Sequence, residues 1–204
     1  ACMAVPVIAG EPNDTVVVSA TRSEQSDNRL PVSIDRLDKA SLQDGRAMVN
    51  LSEVLGQIPG LVAQNRQNYA QDLQISSRGF GARASFGVRG IRLYSDGIPA
   101  TMPDGQGQVS HFDLGSAERL EVLRGPFSVL YGNAAGGVIS LFSEAGKAGI
   151  QLQPSFSAGS DDSQRLGLKL SGDTGQLNYL LDVARFSTDG YREHSAAQRD
   201  TTNA

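Results

Sequence analysis

Five arginines lie between residues 64 and 92 of this 204-residue chain, and Asp72 is the only acidic residue among them. The arginines are Arg66, Arg78, Arg83, Arg89 and Arg92. A guanidinium group binds carboxylates and other planar anions through paired hydrogen bonds, and the nearby rings of Tyr69, Phe80 and Phe86 suit flat ligands. The segment therefore predicts binding of an anionic small molecule, although some of these arginines are expected to pair with buried acids instead.

Patterns that would indicate catalysis or a bound cofactor are incomplete. Residues 79–84, G-F-G-A-R-A, fit a dinucleotide fingerprint, but Gly87 and Gly90 interrupt the helix that such a site requires. Residues 132–137 lack the lysine of a phosphate-binding loop, no G-x-S-x-G motif occurs, and His111 has no identifiable nucleophile partner. We therefore predict no catalytic residues, no cofactor and no enzyme activity.

Composition argues against several other classes of protein and of binding site. The net charge of −4 argues against a nucleic-acid partner. Cys2 is the only cysteine and there are two histidines, which excludes an internal disulfide and leaves little material for a metal site. No apolar run approaches about 18 residues, so no transmembrane helix is predicted. The apolar residues 1–10 are expected to be the remnant of a secretory signal, with Val7 and Ala9 at the cleavage-site positions.

Residues 30–146 predict a small α+β domain. Four apolar residues recur at helical spacing between the expected cap, Asn50, and the helix breaker Pro59-Gly60; they are Leu51, Val54, Leu55 and Ile58. Short strands are predicted at Leu61–Ala63, Leu73–Ser76, Ile91–Tyr94, Leu120–Leu123 and Val138–Phe142. Ahead of this domain, the polar arm 11–29 contains one β-branched run at 16–18, which favours a strand that another protein's sheet edge can pick up.

Residues 147–204 alternate apolar and polar side chains in runs of about ten, as in Leu166, Leu168 and Leu170. The pattern predicts three antiparallel strands, although the alternation breaks at Arg185-Phe186. Outer-membrane barrel strands and soluble antiparallel sheets share this period, so the pattern alone leaves both open.

Three ordered motifs resemble the plug domain of the TonB-dependent outer-membrane receptors of Gram-negative bacteria. They are Q-I-S-S-R-G-F-G from Gln74, G-I-R-L-Y-S-D-G-I-P from Gly90, and E-R-L-E-V-L-R-G-P-F-S-V-L-Y-G-N-A-A-G-G-V-I-S-L-F-S from Glu118. The resemblance implies an α+β plug domain over 30–146, followed by the first antiparallel strands of a truncated outer-membrane β-barrel over 147–204.

The resemblance also implies roles for particular residues. The run D-T-V-V-V-S-A resembles the TonB box, which joins the sheet of the periplasmic energy coupler TonB by strand addition. Its members are Asp14, Thr15, Val16, Val17, Val18, Ser19 and Ala20. Arg78 and Arg124 match two plug arginines that, in the family, pair with barrel glutamates and hold the plug in the lumen. Their partner glutamates are expected beyond Ala204.

The cargo expectation comes from a closer resemblance to the YncD-type subgroup, carried by segments 64–74, 90–94, 97–108 and 189–195. It implies pyrroloquinoline quinone, a flat tricarboxylate, as cargo, and an anionic ferric siderophore would suit the arginines equally. The predicted cargo contacts are Arg66, Gln67, Tyr69, Arg83 and Asp104.

Three strands cannot close a barrel that needs about 22, so the chain is expected to be the N-terminal piece of a receptor. The predicted function is gating of energy-coupled uptake in the outer membrane, with the plug inside the lumen and the N-terminus in the periplasm. Two alternatives stay open. One is a free-standing soluble plug-like module that binds a ligand or partner in the periplasm, and the other is a soluble β-rich enzyme.

Overall fold

The computed structural model describes residues 33–85, 87–124, 130–132 and 134–204, together with the backbone of residues 16–17 and 25–26. The first strands and the two helices are β1 (Val16–Val17), β2 (Gln25–Ser26), β3 (Ser33–Asp38), α1 (Lys39–Gln43), α2 (Ser52–Leu55), β4 (Leu61–Gln64) and β5 (Gln74–Ser77). The later strands are β6 (Val88–Arg89), β7 (Ile91–Ser95), β8 (Ile98–Pro99), β9 (Gln106–Gly107), β10 (Ala117–Arg124), β11 (Gly137–Ser143), β12 (Gly149–Ala158), β13 (Gln164–Asp173), β14 (Asn178–Thr188) and β15 (Ala197–Asn203). Within the described parts of the chain, no helix is long and apolar enough to cross a membrane.

The strand predicted in the polar arm is confirmed at Val16–Val17. It pairs with Gln25–Ser26 in an antiparallel ladder, so it has a partner within the same chain. The predicted signal remnant, residues 1–10, lies outside the described residues. So do five of the predicted TonB-box residues, Asp14, Thr15, Val18, Ser19 and Ala20.

A five-stranded sheet organises the N-terminal domain, in the order β3-β10-β11-β7-β8. The strand β10 lies between antiparallel neighbours, and β11 pairs with β7 in parallel. Most apolar side chains of β10 and β11 are buried because helices and loops cover the sheet, as the core residues Leu120, Val122 and Ile139 show. The five strands predicted between residues 61 and 142 are all present, each within one to three residues of its expected bounds.

The helix predicted over 50–58 is shorter than expected and begins differently. It spans Ser52–Leu55, and Leu51 occupies the cap position without a side-chain cap bond. The cap assigned to Asn50 was therefore wrong. The Glu53 carboxylate instead accepts hydrogen bonds from three preceding backbone N–H groups, at 2.8 to 2.9 Å. All four apolar residues at helical spacing are buried, so the pattern identified the packed face but not the length of the helix.

Four strands, rather than the predicted three, form the C-terminal sheet in the order β12-β13-β14-β15. The missed strand, β15, is polar on both faces, and an alternation of apolar residues cannot reveal such a strand. Each of the two outer strands, β12 and β15, has one sheet neighbour among the described residues.

The two faces of the C-terminal sheet have the opposite polarity to those of a soluble sheet. Its outward face is apolar and exposed, as Ile150 (79% exposed) and Phe156 (66%) show. Its inward face is polar and packs on the N-terminal domain, where Arg165, Lys169 and Asp182 are buried.

The connection between the two sheets is short and tightly packed. β11 ends at Ser143 and β12 begins at Gly149. Between them, Gly146 lies against the backbone of Gly172 so closely that a Cβ atom would overlap it. The Asn178 side chain fixes the same point, accepting from Gly146 N and donating to Gly146 O, both at 2.8 Å.

Candidate functional site: a cavity between the N-terminal domain and the C-terminal sheet

A cavity of about 1060 Å³ opens between loops of the N-terminal domain and one end of the C-terminal sheet. Asn50 and the segments 66–73 and 108–113 line one side, and residues 192–202 line the other. Segment 66–73 belongs to the connection between β4 and β5, so a two-stranded ladder holds both of its ends. Asparagine side chains stiffen this loop, since Asn65 accepts from Gln67 N at 2.8 Å and Asn68 accepts from Ala70 N at 3.0 Å.

Three of the five predicted cargo residues meet in this cavity: Arg66, Gln67 and Tyr69. Arg66 is exposed, and its Nη1 donates to Gln71 Oε1 at 3.3 Å. Arg83 lies elsewhere, in a smaller pocket of about 320 Å³ that it shares with Arg89. Asp104 is exposed and accepts from Gln106 N at 3.0 Å, which closes a turn. The structure therefore brings three of the residues together and separates two, and cargo contact by any of them stays a prediction.

Tyr69 contacts the C-terminal sheet as well as the cavity. Its ring lies 5.2 Å from that of Phe186, with the ring planes tilted by 49°. Burial raises the pKa of the Tyr69 phenol, and the nearby Glu53 carboxylate adds to the effect. The phenol therefore stays protonated and keeps its capacity to donate a hydrogen bond.

Sequence reasoning missed two residues of the cavity, Arg199 and His111. Arg199 belongs to the polar strand β15 and donates to Val49 O at 2.8 Å and to Ser110 O. His111 packs edge-to-face on Phe112, with ring centroids 4.9 Å apart. Desolvation lowers the pKa of His111 below its ordinary value and Asp72 opposes the shift, so the imidazole is neutral at physiological pH. Arg199 lies in a polar strand, so periodicity offered no signal for it.

A second cluster surrounds the buried guanidinium of Arg124. Its Nη2 donates to the Asp35 carboxylate and to Ser33 Oγ, and its Nη1 donates to Pro59 O. A Cβ atom on Gly60 would lie 3.4 Å from both Arg124 Nη1 and Arg78 Cγ, so the two arginine side chains meet at this glycine. Arg78 is exposed and adopts a positive φ of 47°.

Comparison with known proteins identifies the family to which this fold belongs. The family model described as TonB-dependent Receptor Plug Domain matches residues 26–138, which is more than half of the chain. The chain belongs to this family. We refer below to its N-terminal domain as the plug and to its C-terminal sheet as the wall.

Relatives of the chain are transporters and receptors. The vitamin B12 transporter BtuB of Vibrio vulnificus (strain CMCP6) is 31% identical over 150 residues, which are 73% of this chain and 24% of that protein. A hemin receptor of Yersinia pestis is 29% identical over 179 residues, covering 82% of this chain and 25% of its own length. The chain therefore spans about a quarter of the length of these relatives.

Solved structures show the same fold. The pyoverdine outer membrane receptor FpvA from Pseudomonas aeruginosa PAO1, bound to pyoverdine, matches with a TM-score of 0.70 and 22% identity, over 92% of this chain and 26% of that one. The alcaligin outer membrane receptor FauA from Bordetella pertussis also matches with a TM-score of 0.70, at 18% identity, over 92% and 31% of the two chains. The fold class is therefore a plug followed by antiparallel strands of an outer-membrane barrel.

Ionic contacts, one partly exposed and one largely buried, join the plug to the wall. Glu144, just after β11, lies between Lys39 of the plug, at 2.7 Å, and Lys169 of the wall. Lys169 Nζ also donates to Gly115 O at 3.0 Å. Burial alone would raise the pKa of Glu144, but hydrogen bonds from Lys169 and Lys39 outweigh it and hold the pKa below the ordinary range. Glu144 is therefore ionised at neutral pH and links both halves of the chain.

The two predicted lock arginines differ in their surroundings. Arg124 has a partner inside the plug, Asp35, and its buried Nε has no hydrogen-bond partner in the part of the chain that the structure describes. The Arg78 guanidinium is exposed beside it. Pairing of Arg78 and Arg124 with barrel glutamates stays a prediction.

Proposed function

We propose that this chain is the gating part of an energy-coupled outer-membrane receptor that takes up a small molecule. The observation that carries the proposal is the cavity, which is formed jointly by plug loops and by the inward face of a wall whose outward face is apolar. An apolar exterior over a polar interior is the arrangement of an outer-membrane barrel. Relatives named as transporters and receptors support the same reading. The chain has no assigned catalytic role in this proposal.

The energy coupler in this proposal is TonB, and residues 14–20 are its binding segment. A two-residue ladder joins Val16–Val17 to Gln25–Ser26. So short a ladder is weak, and the backbone of Val16–Val17 is free to exchange it for the edge of a partner's sheet. Capture of this strand in the periplasm would then pull on the first strand of the plug sheet, β3.

The cargo that we propose is an anionic molecule, either pyrroloquinoline quinone or a ferric siderophore. Arg66 in the cavity and the Arg83–Arg89 pair in the smaller pocket support it, because guanidinium groups bind carboxylates. Asp72 and Asp113 also line the cavity, so the site has acidic as well as basic side chains.

The free-standing soluble module is the weaker alternative. Leu152, Phe156 and Leu166 point outward from the wall and are more than half exposed. Neighbouring strands place these side chains next to one another in register, which makes a continuous apolar surface. A soluble periplasmic protein would have to cover such a surface, whereas a bilayer accommodates it.

The test is uptake by the full-length receptor in cells with and without TonB, using labelled pyrroloquinoline quinone and a ferric siderophore in parallel. We expect uptake of one of them to require TonB and to fall about tenfold or more in Arg66→Ala, which is about 1.4 kcal/mol of lost binding. Arg185→Ala, on the outward face of the wall and outside the cavity, is the control. Uptake that is independent of TonB would overturn the proposal. Equal uptake by Arg66→Ala and the wild type would overturn the cargo assignment alone.

A further inference from the structure

Two wall residues that the proposed function does not use stand directly opposite each other on the inward face. Phe186 of β14 and Arg199 of β15 are partners in the strand register. Phe186 is 6% exposed. Each of the two side chains reaches a different part of the plug.

Phe186 holds the loop between β4 and β5. Its ring contacts Tyr69, which lies in the middle of the cavity-lining segment 66–73. The loop's own hydrogen bonds, such as Gln71 N to Asn68 O at 3.0 Å, shape it locally but do not attach it to the wall. The aromatic contact therefore joins the middle of the loop to the wall, and aromatic pairs of this kind stabilise beyond the area that they bury.

Arg199 holds two other plug loops with a single guanidinium. Its Nη1 donates to Val49 O at 2.8 Å and to Asn50 Oδ1 at 3.4 Å, and its Nη2 donates to Ser110 O. The rigid fork of a guanidinium suits two acceptors on separate segments, and the single point charge of a lysine does not replace it. Asn50 and Ser110 both line the cavity.

We infer that Phe186 and Arg199 form a wall clasp, a pair of positioning residues that hold the three cargo-facing plug loops in place before cargo arrives. The inference rests on the proposed function for its purpose, since the cavity matters as a cargo site. A preformed site binds more tightly because less conformational freedom is lost on binding. Phe186 and Arg199 then act on the site by holding its loops.

The test is hydrogen exchange measured on the full-length receptor without cargo, comparing Phe186→Ala with Arg199→Met. Phe186→Ala should speed exchange of the Ala70 and Gln71 amides roughly tenfold or more and leave the Phe112 amide unchanged. Arg199→Met should speed exchange most at Phe112 and at Val49, and less at Gln71, because Arg199 hydrogen-bonds to Val49 and Ser110 but interacts with Asp72 only through charge. Phe186→Tyr, which keeps the ring, should restore the wild-type pattern.

Matched controls come from the outward face of the same sheet. Phe156→Ala removes a phenylalanine and Arg185→Met removes an arginine, both exposed and directed away from the plug. Neither should change exchange in the plug loops. Faster exchange throughout the plug, or no change in the loops, would overturn the clasp. Cargo is absent from this experiment, so its outcome is independent of whether the proposed uptake function holds.

Discussion

Arg124 and Asp35 form an ion pair on one face of the plug sheet, diagonal to each other across β10 and β3. Arg124 stands opposite Ser33, the first residue of β3, so the pair fixes the end of the strand that is nearest the N-terminal arm. The same guanidinium reaches Pro59 O and lies beside Gly60, where the β4–β5 unit begins. One side chain therefore connects the first strand of the plug to the unit that carries the cavity loop.

Asp35→Asn should destabilise the plug by about 1–3 kcal/mol, because it leaves a buried guanidinium without its counter-charge. This loss of stability is smaller than for a fully buried ion pair, because the Asp35 side chain is 28% exposed. Urea unfolding of the plug in the full-length receptor measures it, with a fluorescent label placed on the plug. Glu118→Gln is the control, because its pair with Arg119 is exposed and should contribute less than about 1 kcal/mol. Equal effects of the two substitutions would contradict the role given to Arg124.

Gly60→Ala should cost about 1–2 kcal/mol, because Gly60 has a φ of +81° that an alanine adopts only under strain. The new methyl group would also lie 3.4 Å from the two arginine side chains. Gly56→Ala provides the comparison, since Gly56 has a helical φ of −63° and open space around its Cβ position. We expect Gly56→Ala to be neutral or slightly stabilising in the same urea titration. A Gly60→Ala variant as stable as Gly56→Ala would show that the strain is absent.

Acid should weaken the junction between plug and wall through Glu144. Its pKa in the folded protein lies below that of the unfolded chain, so its contribution to stability is fully present above the ordinary glutamate pKa. The contribution is lost as the pH falls from that value through the lowered folded pKa. Thermal unfolding between about pH 6 and pH 3 should therefore show a steeper loss for the wild type than for Glu144→Gln. Parallel curves for the two proteins would contradict this assignment.

A new cation should destabilise the receptor on the outward face of β12 and be tolerated on the inward face. Leu152→Arg places a cation on the outward face and should cost about 2–4 kcal/mol if that face meets the bilayer interior. Gln151→Arg places the same cation on the preceding residue, whose side chain points inward opposite Ser171 in the strand register, and should be tolerated. Folding yield of the full-length receptor into lipid vesicles, read from heat-modifiable gel migration, measures both. A well-folded Leu152→Arg variant would contradict the bilayer position of this face.

Sequence reasoning succeeded where a side chain's environment follows from the local pattern. The short strands predicted at Leu120–Leu123 and Val138–Phe142 lie within β10 and β11, and the alternation in β12 to β14 identified a sheet with one apolar face. Sequence reasoning failed where contacts between residues far apart in sequence determine a side chain's environment. Nothing local indicates that Arg124 pairs with Asp35, 89 positions away in sequence. Strand β15 is polar because its inward Arg199 contacts plug carbonyls and its outward Asp200 pairs with Arg185.

A break in the alternation of apolar and polar residues marked a contact between the plug and the wall. The alternation of β14 breaks at Arg185-Phe186, and the structure supplies the reason. Phe186 is a large apolar side chain on a mostly polar inward face, and it packs on Tyr69. A break in a periodic pattern can thus mark a contact between two domains. Its partner, however, cannot be identified without the fold.

The close packing of Gly146 on Gly172 leaves a tether of only five residues, 144–148, between the last plug strand and the first wall strand. Fully extended, five residues reach at most about 18 Å. The first wall strand has ten residues and is roughly 33 Å long. The connection between plug and wall is therefore, even when fully extended, only about half as long as strand β12. Under the proposed function, a passage opened by pulling from the N-terminus would form by remodelling the β3 side, while β11 stays attached to the wall.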